Sequence, residues 1–222
     1  MVRAITTIVC SLLLLLSFSC SREDTGPQET IPDSGIVTFT AMTGQGETRS
    51  SQEGSFETGD AIGVFAIEPK TGVYWAVNNK YTYDGQKFKP ETEADNIIVT
   101  VGTDFDFYVY YPFKAGQTDI TGISHTAGNQ SDKPGWLSAD FMTATYTDPI
   151  RNYTVPLHFK HRMSTVEVRI DRNDGVREAT MENVRRTSRF NLLTGGITTD
   201  ESRGSCTMHK YSETGGTTVF RV

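Results

Sequence analysis

Alternation of apolar and polar side chains from Phe56 to Phe113 constrains this chain more than any other feature of its sequence. Near the start of the stretch, one strand phase holds Ile62, Val64 and Ala66. Near its end, one phase holds Phe105, Phe107, Val109 and Tyr111, and the other holds Asp106, Tyr108 and Tyr110. A period of two indicates strands with one buried face. The Asp84-Gly85 pair suits a tight hairpin, so the stretch predicts three or four antiparallel strands.

Strand patterns also dominate the rest of the chain. Val37, Phe39 and Ala41 alternate with threonines, and Lys114–Gly135 is a long polar segment with little to bury. No segment sustains a helical period of 3.6 residues, so the predicted class is all-β, with a sandwich favoured. Further short strand candidates are residues 97–101, 141–146, 179–184, 189–193 and 217–222.

The apolar phase changes beyond Tyr153. Val155, Leu157, Phe159 and Met163 occupy odd positions, whereas Val166, Val168 and Ile170 occupy even ones. Such a flip needs a bulge or a break near residues 161–165. We place a domain boundary just before it, which gives an N-terminal β-sandwich domain over residues 36–155 and a C-terminal β domain over residues 156–222.

The first twenty residues have the composition of a signal peptide. Arg3 supplies a positive start, and the apolar run that follows is too short to span a bilayer comfortably. Ser17-Phe18-Ser19-Cys20 resembles a lipobox, although Leu is usual where Ser17 stands. We therefore expect Cys20 to be acylated and to become the mature N-terminus, the alternative being ordinary cleavage beside a chance cysteine. Residues 21–35 are polar, charged and proline-containing, which predicts a flexible tether.

Composition excludes some functions. The chain carries 21 basic and 27 acidic residues for a net charge of −6, and no basic patch interleaves with aromatics, so nucleic acid is not an expected partner. Of the three cysteines, Cys10 lies in the signal peptide and Cys20 is the expected lipidation site. Cys206 is thus left without a cysteine partner for an intrachain disulfide.

No pattern of catalytic residues emerges. His158 and His161 point to opposite faces of a strand, and no Cys pair or His-Glu-x-x-His accompanies them, so we expect no metal site. Asp104 and Asp106 share a strand face, and spacing alone leaves a glycosidase pair open, but strand-end acids are more often solvated. We expect no enzyme activity and no cofactor. Five aromatics either bind sugars or partners or, as the more common alternative, fill the core: Tyr74, Trp75, Tyr110, Tyr111 and Trp136.

The order of several motifs resembles the fimbrillin-like lipoproteins of Bacteroidota, the subunits and relatives of their cell-surface fimbriae. The motifs are Gly-Asp-x-Ile-Gly-Val-Phe-Ala from Gly59, Tyr-x-Tyr-Asp-Gly from Tyr81, Phe-Tyr-Val-Tyr-Tyr-Pro from Phe107, Ser-Ala-Asp-Phe-Met from Ser138 and the run from Val155 to Ile170. The resemblance implies two transthyretin-like β-sandwich domains. It also implies export to the outer membrane, where Ser21-Arg22-Glu23-Asp24 resembles the acidic surface-export signal of that phylum, the alternative being a solvated linker.

The resemblance further implies a processing step. In polymerising fimbrillins, an Arg- or Lys-specific protease cuts in the loop after the first strand, which then leaves a groove for a strand of the next subunit. Arg49 is the single basic residue between the Ile36–Ala41 strand and Phe56, so it falls where that cut would lie. The alternative is that Arg49 is simply a solvated loop charge.

These implications together predict a non-catalytic, outer-membrane-anchored surface lipoprotein that acts in fimbria assembly or cell adhesion. Its expected partners are other fimbrial subunits, the membrane through its lipid anchor, and a host or bacterial surface ligand. The alternative is a monomeric glycan-binding lipoprotein. The C-terminal domain is shorter than is usual in the family, so we expect it to be incomplete, with an unpaired strand edge and unburied Val219, Phe220 and Val222.

Overall fold

A computed structural model describes residues 33–43, 56–171 and 175–222. Within these ranges the regular structure is almost all β, which confirms the predicted class. The strands of the first half are β1 (Ser34–Ile36), β2 (Thr38–Thr43), β3 (Ala61–Ile67), β4 (Tyr74–Tyr83), β5 (Phe88–Pro90), β6 (Ile98–Thr100), β7 (Asp106–Tyr111), β8 (Ile123–Thr126), β9 (Met142–Tyr146) and β10 (Thr154–His161). Those of the second half are β11 (Glu167–Asp171), β12 (Thr180–Val184), β13 (Thr187–Phe190), β14 (Ile197–Thr199), β15 (Gly204–Thr207), β16 (His209–Thr214) and β17 (Thr217–Arg221). A 3-10 helix covers Glu93–Asp95, and the helix α1 covers Lys133–Ser138.

Seven strands close into a barrel in the order β10-β2-β5-β4-β3-β7-β9. Closure follows because β10 pairs with β2 on one side, in parallel, and with β9 on the other. The inward phase is the one that alternation predicts: Ile62 and Val64 of β3, and Phe107 and Val109 of β7, are completely buried in one cluster. Burial of these apolar faces stabilises the barrel at roughly 25 cal/mol per Å² removed from water.

The predicted Asp84-Gly85 hairpin is confirmed between β4 and β5. Gly85 has φ of +101°, a conformation that side-chain-bearing residues rarely adopt. The Asp84 carboxylate accepts hydrogen bonds of 2.8 Å from the backbone amides of both Gln86 and Lys87. Together with its ion pair to Lys89, these bonds hold the pKa of Asp84 well below its ordinary value. Local sequence therefore fixes this turn.

A second apolar cluster lies on the outer face of β3 and β7. Phe65, Ile67 and Tyr110, in the opposite phase from the barrel core, are buried there against residues from distant parts of the chain. The covering residues are Ile120, Ile123, Phe141, Phe190 and Leu192. Strands β14, β13 and β8 form a three-stranded sheet that supplies several of them. The central strands are thus buried on both faces.

The expectation that Lys114–Gly135 has little to bury is wrong. Ile120 and Ile123 are at most 2% exposed, and the segment contributes β8 and the start of α1. Asp132 caps that helix by accepting a hydrogen bond from the Gly135 amide at 2.8 Å. The error arises because isolated apolar residues in a polar segment carry no period, and only contact with β3 and β7 shows that they belong to a core.

The predicted break in strand phase is confirmed: β10 ends at His161 and β11 begins at Glu167. Strand β10 runs across the expected boundary at residues 155 and 156, and β8 from the first half pairs with β13 from the second. The described chain from Asp33 to Val222 belongs to one compact unit. Division into two domains stays a prediction.

Strand β17 lies in the middle of a sheet, between β11 and β16. The expectation that Phe220 is unburied is therefore wrong, because this side chain is 0% exposed. Val219 and Val222 are half-buried. The backbone groups of Val222 pair with Val166 in both directions, at 2.8 and 3.0 Å, which extends the sheet beyond the strand. Incompleteness of the C-terminal domain stays a prediction.

Candidate functional site

The leading segment, residues 34–43 with β1 and β2, fills part of the barrel core. Val37 and Phe39 are both 0% exposed. The Phe39 ring packs edge-on against Tyr81 and Phe107, with centroids 5.1 and 5.3 Å away. Alternation predicts that Phe39 lies on a buried strand face. In the barrel its side chain packs among aromatic rings. The leading segment is thus a core element that lies close to one end of the described chain.

Two strands form the walls of the groove that holds β2. On one side β2 runs parallel to β10, in register from Thr38 opposite Thr154 to Thr43 opposite Phe159. On the other side the register pair with β5 is Phe39 opposite Phe88. Loss of β2 would leave the backbone groups of β10 unpaired on that side, which is the kind of edge to which another strand can add.

Arg49 and Cys20, the two predicted site residues, lie outside the described residues. The ends of the loop that contains Arg49 are described. Thr43 stands opposite Phe159 in the β2–β10 register, and the Phe56 ring lies 5.0 Å from the Phe159 ring. Phe56 also packs against Phe88 at 5.0 Å. The described chain is therefore anchored beside one barrel residue, Phe159, both before and after residues 44–55.

The five candidate aromatics separate by burial. Tyr110 and Trp136 are 1% and 2% exposed and are core residues, and Tyr111 is half-buried with its hydroxyl donating to Asp60 at 3.1 Å. Tyr74 and Trp75 are 46% and 58% exposed. They are the members of this set that a ligand could reach.

The Tyr110 ring lies close to the backbone of β3 on the outer face of the barrel. Its hydroxyl donates to the side-chain oxygen of Asn78 at 2.7 Å, and burial raises its pKa to about 12. A Cβ atom added at Gly63 would stand 2.2 Å from a ring carbon of Tyr110. The backbone of β3 at Gly63 and the Tyr110 ring thus approach so closely that a side chain at this position has no room.

The candidate catalytic residues serve other contacts. The His161 ring nitrogen Nδ1 lies 2.8 Å from a carboxylate oxygen of Asp140, whereas His158 is exposed. Asp104 pairs with Lys70 at 3.1 Å. Within the described ranges no three His, Cys, Asp or Glu side chains are grouped as a metal site requires. Cys206 is buried and free, and its sulfur lies 3.4 Å from the side-chain amide nitrogen of Gln130.

Sequence reasoning missed a polar cleft of about 540 Å³ on the outside of the barrel. One wall is the outer face of β9 and β10, where Thr143 stands opposite Lys160 and Thr145 also lines the cleft, and the other is the 191–195 turn between β13 and β14. The sequence signal was the alternation along β10, where His158 and Lys160 occupy the phase opposite to Val155, Leu157 and Phe159. Recognising the cleft also requires the distant turn that covers it.

No helix in residues 33–43, 56–171 or 175–222 is long and apolar enough to cross a membrane. The sequence model of a protein family described as fimbrillin-like matches residues 48–220. No curated protein matches the chain.

Two solved structures share the fold. A candidate cell adhesion protein from Bacteroides ovatus ATCC 8483 is 19% identical with a TM-score of 0.62, and the match covers 86% of this chain and 78% of that one. A candidate cell adhesion protein from Bacteroides uniformis ATCC 8492 is 21% identical with a TM-score of 0.56, covering 85% and 74%. At these identities the likeness concerns the fold alone.

Proposed function

The chain belongs to the fimbrillin-like family, and from that premise we propose that it is a non-catalytic surface lipoprotein that takes part in fimbria assembly or cell adhesion. Family membership confirms the resemblance that its motifs indicate and supports a fimbrial or adhesion role at the cell surface. The finer points, namely the lipid anchor, the processing site and strand exchange, form the proposal. We place the anchor at acylated Cys20 and the protein on the outer membrane.

The observation that carries the assembly role is the position of the leading segment. The segment contributes completely buried Val37 and Phe39 to the barrel core, and Arg49 follows β2 along the chain. An intact chain keeps this strand in place by covalent connection. After a cut at Arg49, the strand leaves when an equivalent strand of another subunit supplies the same buried side chains and the same backbone hydrogen bonds.

Exchange needs an acceptor that stays folded while its first strand is replaced. The other six barrel strands are joined by an uninterrupted series of pairings from β5 through β4, β3, β7 and β9 to β10. Phe56 begins the chain beyond the loop and remains packed against Phe88, Tyr111 and Phe159. These contacts keep the two walls of the groove in position after the cut.

Oligomers on the cell surface test the assembly role. Cells that express the full chain with its own processing protease should show a ladder of oligomers on gels of unheated samples, and Arg49→Ala should reduce it to monomer. Lys133→Ala, an exposed charge on α1, is the matched control and should leave the ladder unchanged. A monomer alone in wild-type cells, with the protease active, would contradict the assembly role.

One observation favours a second function, glycan binding by the monomer. Tyr74 and Trp75 are adjacent and exposed, and aromatic faces stack on sugar rings. Trp75 is also held in place, since its indole nitrogen donates to the Ile98 carbonyl at 3.2 Å. Tight polysaccharide binding by monomeric protein, lost in Trp75→Ala, would favour this function over assembly.

A further inference from the structure

The polar cleft outside the barrel carries an inference beyond assembly. Its volume of about 540 Å³ lies within the range of small-ligand sites, roughly 300–1,000 Å³. The lining includes the side chains of His158, Lys160 and Arg162, and none of the described residues that line it is Asp or Glu. The chain has a net charge of −6, whereas the charged side chains that line the cleft are cations alone. The local charge of the cleft is therefore opposite in sign to the net charge of the protein.

The cations of the cleft are not neutralised by protein carboxylates. No ion pair joins Lys160 or Arg162 to another described residue. Arg162 donates from Nη2 to the Gly195 carbonyl, and its buried Nε has no hydrogen-bond partner in the described structure. Burial and then the negative charge of Asp106 raise the pKa of the lining residue Tyr108, but Asp106 does not itself line the cleft. Lys160 is exposed and available to a ligand.

Internal hydrogen bonds make the 191–195 turn, the wall opposite β9 and β10, rigid. The side-chain oxygen of Asn191 accepts hydrogen bonds from the amides of Leu193 and Thr194, at 3.0 and 3.1 Å. The Gly195 amide returns to the Asn191 carbonyl at 2.8 Å, and Gly195 has φ of +71°. The bond from Arg162 fastens this turn to the barrel. A preformed wall reduces the entropy that a ligand must lose on binding.

The remaining lining indicates what kind of anion fits. Four threonine hydroxyls line the cleft, and a hydroxyl both donates and accepts hydrogen bonds, which matches the hydroxyls of a sugar. At Thr143 and Lys160 of the barrel wall, β9 and β10 are paired with each other, so a peptide strand cannot add to the sheet there. The lining threonines are Thr143, Thr145, Thr147 and Thr194.

We propose that the cleft between the outer face of β9–β10 and the 191–195 turn binds an anionic saccharide unit, with Lys160 and Arg162 facing its carboxylate or sulfate. Saccharide binding at this cleft needs neither polymerisation nor the lipid anchor. Failure of this proposal and failure of the assembly role can therefore be distinguished. The cleft is also separate from the exposed Tyr74–Trp75 pair.

Calorimetric titration of the full chain in detergent tests the proposal with four probes: a hyaluronan tetrasaccharide (carboxylate), a heparin tetrasaccharide (sulfate), neutral chitotetraose and hexaglutamate. We expect at least one anionic saccharide to bind, and Lys160→Glu to weaken that binding by at least about tenfold, since a charge-assisted contact becomes a repulsive one. Lys133→Glu makes the same charge change on α1 and should leave affinity unchanged. Binding of hyaluronan identifies a carboxylate site, and binding of heparin alone identifies a sulfate site.

Four results would overturn the proposal. They are no binding of any probe, equal binding of chitotetraose, binding of hexaglutamate alone, and saccharide binding that Trp75→Ala abolishes while Lys160→Glu preserves it. If Lys160→Glu does not fold, Thr145→Glu places a negative charge on the neighbouring strand of the same wall and serves the same purpose.

Discussion

Replacement of Phe39 by alanine measures how strongly the leading segment is held in the barrel. The side chain is 0% exposed, and its ring packs against Tyr81 and Phe107 at centroid distances of 5.1 and 5.3 Å. Truncation of a buried Phe to Ala removes its transfer free energy and leaves a cavity, at a cost of about 3–5 kcal/mol. Strands β10 and β5 pair with β2 on its two sides. Because they limit how far the surrounding structure can collapse into the cavity, this cost is not much reduced.

Urea unfolding of the purified full chain is the assay, followed by circular dichroism. Urea m-values are about 1–3 kcal/mol/M. Dividing the middle of the range of about 3–5 kcal/mol by the middle of the m-value range places the unfolding midpoint of Phe39→Ala about 2 M below that of the wild type. Thr40→Ala changes the next residue of β2, whose side chain is half-buried, and should cost less than about 1 kcal/mol. Equal shifts for the two variants would refute the claim that Phe39 anchors the leading segment.

Three further predictions concern the core, its tyrosines and the anchor. Gly63→Ala should lower the free energy of unfolding by about 1–3 kcal/mol, because the added carbon would stand 2.2 Å from the Tyr110 ring; Gly128→Ala, with no atom within 4 Å of the added carbon, is the control, and equal urea midpoints would contradict the prediction. The pKa of Tyr110, about 12 in the folded protein against an ordinary value of 10.0, means that the folded state holds this proton more tightly. Its contribution to stability is therefore complete below pH 10 and is lost as the pH rises toward 12, so melting temperatures measured from pH 9 to 12 should fall less steeply in Tyr110→Phe, and identical slopes would count against it. Cys20→Ser should release the protein from membranes and end its labelling by a fatty acid analogue; unchanged labelling would end the lipoprotein proposal.

Local chemistry determined what the sequence could predict of this fold. The inward phase of β3 and β7 follows from alternation at residues such as Val64 and Phe107, and the Asp84-Gly85 turn follows from backbone preferences within four residues. Parallel pairing of β2 with β10 could not be predicted, since it joins Thr38 to Thr154, 116 residues apart, and leaves no local mark. Outer-face burial of Tyr110 was likewise hidden, because the residues of its cluster include Ile120 and Ile123 from a polar segment and Phe190 from a strand far along the chain.

The candidate site likewise divides into residues that local sequence could select and features that depend on the folded chain. The lipobox-like motif selected Cys20, and the family resemblance together with its position selected Arg49; both stay predictions. Sequence did not separate Trp75 from Trp136; packing buries Trp136 to 2% exposure and leaves Trp75 at 58%. The polar cleft was missed because its two walls come from strands near residue 150 and a turn near residue 193, which only the folded chain brings together.

Limited digestion of the folded protein with an Arg-specific protease, followed by mass measurement, tests the strand-exchange account most directly. The account predicts one early cut after Arg49, loss of the fragment that ends there, and a gain in oligomers. Arg49→Ala should abolish all three changes. First cuts at Arg185, Arg186 or Arg203, with Arg49 intact, would contradict the account.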